Sequence, residues 1–302
     1  MYELIQELPD LPQEIIDAEK VDEFAIFIGA GVSRSVGCYG WDQLARNLLD
    51  QCEVLGHINN FEKETLLRGA DYKKTITICH HLLKENDESF QNAMKEALND
   101  SAVSKNNPYL EKIYKPLARL NGVFITTNAD RHIDQLFIFE HIQVDNFSRF
   151  TEINNKHLYK IHGSISKPES LVFTVNGYLE KYTQQEGLQA FLEILFNRYT
   201  VLFIGYGLSE FELLDHLFKA NWGKKGKHFF LKDYFKHEQR IYQFEQLYFD
   251  NLGITLIPYA KDMKGFNQLE DIVQNWVDQM KITSTTIHKN FSFIDEALSN
   301  PV

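Results

Sequence analysis

Cysteine is scarce: there are three in 302 residues, Cys38, Cys52 and Cys79, and no C-x-x-C pair. A sparse, odd set argues against a disulfide framework and against a four-cysteine zinc site. Basic charge is also short, with 31 Lys and Arg against 42 Asp and Glu and a net charge of -11. General nucleic-acid binders present a basic face, so direct contact with nucleic acid is not expected. No apolar run approaches the ~20 residues that span a bilayer, so no membrane partner is expected. The opening "MYELIQELPDLPQEII" has acids and prolines where a secretory leader needs a basic start and an apolar stretch. Internal repeats and low-complexity tracts are absent. These absences predict a soluble, cytoplasmic protein in a reducing compartment. At 44% hydrophobic and 24% charged, the chain has ordinary globular composition and is long enough for one large domain.

What is present is a series of short apolar runs separated by helical patterns. The runs are "EFAIFIGAG" (23–31), "GVFITTNAD" (122–130), "HLYKIHGSI" (157–165), "TVLFIGYGL" (200–208), "KHFFLKD" (227–233) and "GITLIPY" (253–259). Most are continuous rather than alternating, as in strands buried on both faces of a parallel sheet. Helical spacing appears in Leu188, Phe191, Leu192, Leu195 and Phe196, and in Ile241, Phe244 and Leu247. It returns in Leu269, Ile272, Val273, Trp276, Val277 and Met280, with Asn267 and Glu270 as a plausible cap. This alternation predicts an α/β fold, a Rossmann-like doubly wound parallel sheet.

One segment breaks the pattern. Residues 42–120 hold helical stretches such as "WDQLARNLLDQC", "KKTITICHHLLKE" and "SFQNAMKEAL" but no convincing strand. Such a length exceeds an ordinary crossover. It predicts a helical subdomain, at about 42–120, inserted over the carboxyl edge of the sheet, where ligands bind in such folds. The expected division is an N-terminal helical extension (1–21), a main domain (22–282) and a polar tail (283–302). The tail reads either as a linker to a further domain or as a frayed end.

Four strand ends carry polar or glycine-rich residues. Gly29-Ala30-Gly31 follows the first strand, and Ser33 and Arg34 add a hydroxyl and a cation suited to a diphosphate. Position 34 holds arginine where a dinucleotide fingerprint would have its third glycine, and no P-loop lysine follows. Thr126, Thr127, Asn128 and Asp130 end the second strand. His162-Gly163 ends the third, and histidine is the side chain best suited to take a proton near neutral pH. Gly205, Tyr206, Gly207, Ser209, Glu210 and Glu212 follow the fourth, the acids being able to bind ribose hydroxyls. Each end, taken alone, also fits a plain tight turn, a helix cap or a hydrogen-bonded core histidine. Cys79-His80-His81 has no partner set at ligand spacing, and adjacent helical residues diverge, so no metal site is expected.

The order G-A-G-V-S, T-T-N-x-D, H-G and F-I-G-Y-G-L-S-E resembles the sirtuin-like (SIR2-family) domain, and more closely its bacterial anti-phage defence branch than the protein deacylases. The resemblance implies that Gly29, Ala30, Gly31 and Ser33, with Arg34, hold NAD. It implies that Thr127, Asn128 and Asp130 line the nicotinamide-ribose side, Asn128 and Asp130 serving catalysis, with His162 as base. Gly205, Tyr206, Ser209 and Glu210 would lie near the adenosine half. Deacylases of this family carry two C-x-x-C pairs after H-G. Here "HGSISKPESLVFTVNGYLEKY" has no cysteine, so no zinc is expected. Tyr178 lies in a segment similar to the Y-x-x-Y region of defence-type domains. Ala129 stands where those domains often have tyrosine, and Gly40 where proline usually precedes Trp41.

The resemblance implies an NAD glycohydrolase that releases nicotinamide and ADP-ribose, with NAD as substrate. Uncontrolled NAD loss is lethal, so regulation by homo-oligomerisation or by a partner or further domain is expected, in the setting of abortive infection. The alternatives are an NAD or ADP-ribose sensor or oligomerisation module without turnover, and a zinc-free ADP-ribosyltransferase or deacylase.

Overall fold

The computed structural model describes residues 5–84, 87–99, 110–137, 143–207, 211–221 and 227–281. The strands are β1 (Phe24–Ile28), β2 (Val123–Thr126), β3 (Gln143–Val144), β4 (Leu158–Lys160), β5 (Thr200–Ile204), β6 (His228–Tyr234) and β7 (Ile254–Ala260). The helices are α1 (Gln13–Lys20), α2 (Ala30–Ser35), α3 (Trp41–Val54), α4 (Asn60–Arg68), α5 (Tyr72–Leu82), α6 (Asp87–Ala97), α7 (Lys115–Ala118), α8 (Val175–Gln184), α9 (Glu186–Arg198), α10 (Phe211–Asn221) and α11 (Gln239–Asp250). A last helix, α12, spans 268–281.

The strands form one seven-stranded sheet in the order β3-β4-β2-β1-β5-β6-β7. Every named pairing is parallel. The chain winds outward from β1 in one direction and from β5 in the other. The carboxyl ends of β1 and β5 therefore form the topological switch point of a Rossmann-like fold.

The strands are continuously apolar because successive side chains enter different cores. Phe24, Ile26 and Ile28 meet α1, α2, α7 and α12 on one face. Ala25 and Phe27 meet α9 and α10 on the other. Both faces are thus covered, which parallel sheets require. All six predicted runs are strands. The two-residue β3 has no apolar run to announce it.

Residues 5–20 pack onto the sheet and its core. Gln6 bridges to Tyr259, Ile15 and Ile16 enter the sheet core, and the buried Trp276 indole donates to Pro9 O at 2.7 Å. The face of α12 is core, as the spacing predicts. Helix α11 forms where expected, but Ile241, Phe244 and Leu247 lie on its outer side, 49%, 53% and 66% exposed. Phe249 and Tyr242 pack inward instead.

Between α2 and β2 the described elements are all helical. Helices α3, α5 and α6 build their own core from residues including Leu48, Cys52, Ile76, Cys79 and Met94. Ile165 joins that core, with half-buried Leu171 and Phe173, so this cap lies against the loop after β4. Ile113, Tyr114 and Leu117 belong to the sheet core instead. The predicted tail, 283–302, lies outside the described residues. Among the described residues no helix is long and apolar enough to cross a membrane.

Candidate functional site

The carboxyl ends of β1, β2, β4, β5 and β6 open onto one cavity of about 600 Å³, roofed by the cap residues Tyr39, Trp41 and Leu44. That volume lies in the usual range for small-molecule sites. Ala30, Gly31, Ser33, Arg34, Thr127, Asn128, Asp130, His162, Gly205 and Tyr206 all border it. Strand ends that lie far apart in the sequence therefore border one cavity. Ser209 and Glu210 lie outside the described residues.

At the switch point the backbones themselves are in contact. Gly29 N–H donates to Ile204 O at 2.9 Å, and Gly31 N–H donates to Gly205 O at 2.6 Å. A Cβ on Gly31 would stand 2.8 Å from both Cα and O of Gly205. Gly205 has φ +62°, the left-handed region that favours glycine. Close passage of two strand ends thus accounts for these glycines, and both named amides are already satisfied. Arg34 remains as a cation at the cavity mouth, its side chain 43% exposed and 3.5 Å from Asp42.

The β2–β4 side is polar and ordered. Thr126 Oγ1 donates to Ile28 O at 2.9 Å and accepts from Asn128 N–H at 2.9 Å, folding the strand end over β1. The Asn128 amide donates to Gly29 O at 3.0 Å and to Ser33 Oγ at 2.8 Å. Gly29 O can only accept, so the amide nitrogen must lie on that side. The two bonds use both amide hydrogens and fix the side chain of a residue that borders the cavity.

Asp130 borders the same cavity. It is 1% exposed, accepts from Ser33 Oγ at 2.5 Å, and accepts from His132 N–H at 3.0 Å. Ser33 is likewise 3% exposed. Both border the cavity and are also linked within the protein: Asp130 orients Ser33, and Ser33 orients Asn128. Lys160, which is fully buried, donates to Asp130 O at 2.6 Å and pairs with Asp134 at 2.8 Å. Burial pushes the Asp134 carboxyl up, and the Lys160 charge opposes that shift. Burial also raises the Cys38 thiol and the Tyr114 phenol, and the Asp130 charge adds to both. These neighbours therefore stay neutral.

His162 follows β4, 3% exposed. Its Nε2 lies 2.8 Å from Tyr182 Oη, and its Nδ1 lies 3.5 Å from Tyr178 Oη. Gly163 explains the second letter of H-G. It has φ +78°, and a Cβ there would stand 2.1 Å from Ser170 O. The tight turn lets Val172 N–H return to His162 O at 3.1 Å.

Sequence reasoning missed Tyr182 and Lys160. Tyr182 was discoverable, because Tyr178 and Tyr182 are four apart and share a helical face. Lys160 had no signal beyond being a lysine in an apolar strand. Ala129 is buried, and its O accepts from Ile165 N–H at 2.9 Å. Gly40 leaves room for the Arg34 guanidinium, 2.3 Å from where a Cβ would be. No cluster of three or more metal-ligating side chains occurs among the described residues.

Two comparisons bear on this arrangement. Residues 122–257 match a family model described as a SIR2-like domain. The chain is 24% identical over 270 residues to "Defense-associated sirtuin 2" of Bacillus subtilis, a match that covers 85% of this chain and 25% of that protein. It therefore spans about a quarter of the length of that curated relative.

Proposed function

We propose that this chain, which carries a SIR2-like domain, is an NAD glycohydrolase. The observation that carries the reading is the Asn128 amide, fixed through both of its hydrogens, in the same cavity as His162. The cavity also runs past the switch point to Lys232 and Asp233 at the end of β6, giving room for an elongated ligand.

In this reading the bond from ribose C1′ to the nicotinamide nitrogen breaks. The leaving group starts cationic and departs neutral, so no acid is required. The positive charge passes to the ribose ring. Asn128 Oδ1 orients a ribose hydroxyl or the attacking water, and His162 takes the proton released as water bonds to C1′. The balance is NAD and water to nicotinamide, ADP-ribose and a proton. General-base help of this kind contributes about 10²–10⁴-fold. Asp130, through Ser33, holds the Asn128 geometry, and Arg34 meets the diphosphate from the mouth. The same reading makes the protein a regulated NAD-depleting effector in anti-phage defence, held off until self-assembly or a partner releases it.

The test is incubation of the purified chain with NAD labelled in its adenylate phosphate, at several protein concentrations. Free nicotinamide and free ADP-ribose in equal amounts support hydrolysis. Label retained on protein would indicate an ADP-ribosyltransferase. Binding without any release would indicate a sensor. A rate per molecule that climbs steeply with concentration supports control by assembly.

A further inference from the structure

Helix α11 inverts the usual order of a surface helix, which buries an apolar stripe and shows polar residues to water. Phe249 is its one buried residue. Much of its inner side is held by polar groups. Glu245 pairs with Lys232 at 2.6 Å and accepts from the Tyr234 hydroxyl, and Gln246 Oε1 accepts from Leu256 N–H at 3.0 Å. The outer side carries the apolar stripe. Ile241, Phe244, Leu247 and Tyr248, spaced three and four apart, are 49%, 53%, 66% and 55% exposed. Exposed Arg240 and Asp250 flank the stripe at opposite ends of the helix, and the Arg240 guanidinium lies 5.4 Å from the centre of the Phe244 ring.

A contiguous apolar stripe in water marks an interaction surface. We propose that the outer face of α11 docks against the same face of a second copy of this chain, the two helices antiparallel about a two-fold axis beside Phe244. The charges select that occupant. At about 100° per residue, Arg240 and Asp250 fall on the Leu247 side of the stripe. In an antiparallel pair related by a two-fold, like flanks meet. Arg240 of each copy therefore comes opposite Asp250 of the other, and Ile241 comes opposite Tyr248. Copies with a net charge of -11 repel one another in general, but on this flank the two charges offset each other. Four large side chains from each copy make a small contact, roughly 1,000 Å², with a dissociation constant on the order of 10 μM. The inner side of the same helix reaches the cavity, because Lys232, held by Glu245, borders it. Pairing of α11 thus steadies the β6 end of the cavity, a link to activity that rests on the glycohydrolase reading.

Sedimentation velocity on the full chain, from about 1 to about 100 μM, reads the pairing. The parent should pass from monomer to dimer. Phe244→Glu, at an exposed position, should weaken pairing about tenfold or more. Arg240→Asp and Asp250→Arg should each weaken it several-fold, and the double reversal should return it to within about twofold of the parent. That rescue requires the two charges to meet across copies, since they lie nearly three turns apart on one helix, and it shows that the variants fold. A parent that stays monomeric overturns the proposal, as does a dimer that Phe244→Glu leaves intact. So does a benzophenone photo-crosslinker at position 248 that joins α11 to residues 283–302 or to a copurifying protein instead of to α11 of the second copy. NAD turnover on the same samples should rise with the dimer fraction and fall in Phe244→Glu. Turnover unchanged in that variant overturns the link to activity. Pairing as predicted, with no nicotinamide released by any sample, sinks the glycohydrolase reading and leaves the docking surface supported.

Discussion

The two halves of the cavity are built on different principles. At the β1–β5 seam, glycines let two backbones pass in contact, and the named amide donors are used within the protein. At the β2–β4 rim, polar groups are joined in a chain: Lys160 donates to Asp130 O, Ser33 donates to the Asp130 carboxylate and Asn128 donates to Ser33, with His162 on the same cavity. The seam shapes the site, and the rim carries groups able to do chemistry. A glycine-rich loop is thus weak evidence of phosphate contact until its amides are accounted for.

Substitutions can break this contrast. The largest expected effect is at the rim. His162→Ala should lower NAD turnover about 10²–10⁴-fold, the worth of a general base, well beyond what its loss of stability as a buried residue accounts for. Assay of nicotinamide release beside calorimetry checks this, and a loss of activity that merely follows unfolding would erase the distinction.

The next effect is at the seam. Gly31→Ala places a methyl against the Gly205 backbone, and overpacking of that kind costs about 1–3 kcal/mol. The urea midpoint should fall, and activity should fall with it.

A third change affects stability away from the cavity. His228, at the start of β6, accepts from Val201 N–H at 3.2 Å through Nδ1. Burial, with the nearby Lys227 charge, lowers its pKa to about 3. The folded value lies below the unfolded one, so the unfolded chain binds the extra proton as pH falls below about 6.5. Stability present at pH 7 should drop by about 2 kcal/mol by pH 5 from this group alone. Urea titrations of the parent and His228→Phe at both pH values should show this increment only in the parent, whatever the variant loses at pH 7.

The smallest effect belongs to Arg34→Ala. A half-exposed cation at the mouth is worth about 1 kcal/mol, so KM for NAD should rise several-fold with kcat unchanged.

Much of this was legible in the sequence, for a physical reason. Strands buried on both faces must be apolar at every position, so β1 and β5 announce themselves, and their ends mark the ligand edge. Gln143–Val144 buries no such run and did not. Asn128 and His162 were legible as polar residues at strand ends, and the structure places both at the cavity. Direction was not legible. Ser33 and Asp130 border the cavity, but their bonds to one another, to Asn128 and to His132 were not legible, because position in a motif does not reveal which way a side chain's hydrogen bonds run. The same limit applies to Ile241, Phe244 and Leu247, whose period is helical while their face is outward. Tyr182 meets His162 only because the chain folds back at Gly163, a contact 20 residues apart in sequence.

The most direct test of the rim as the chemical half is NAD titration and nicotinamide release measured together on Asn128→Ala. Substrate binding within a few-fold of the parent, with release lost, is the predicted result. Release at the parent's rate would contradict it.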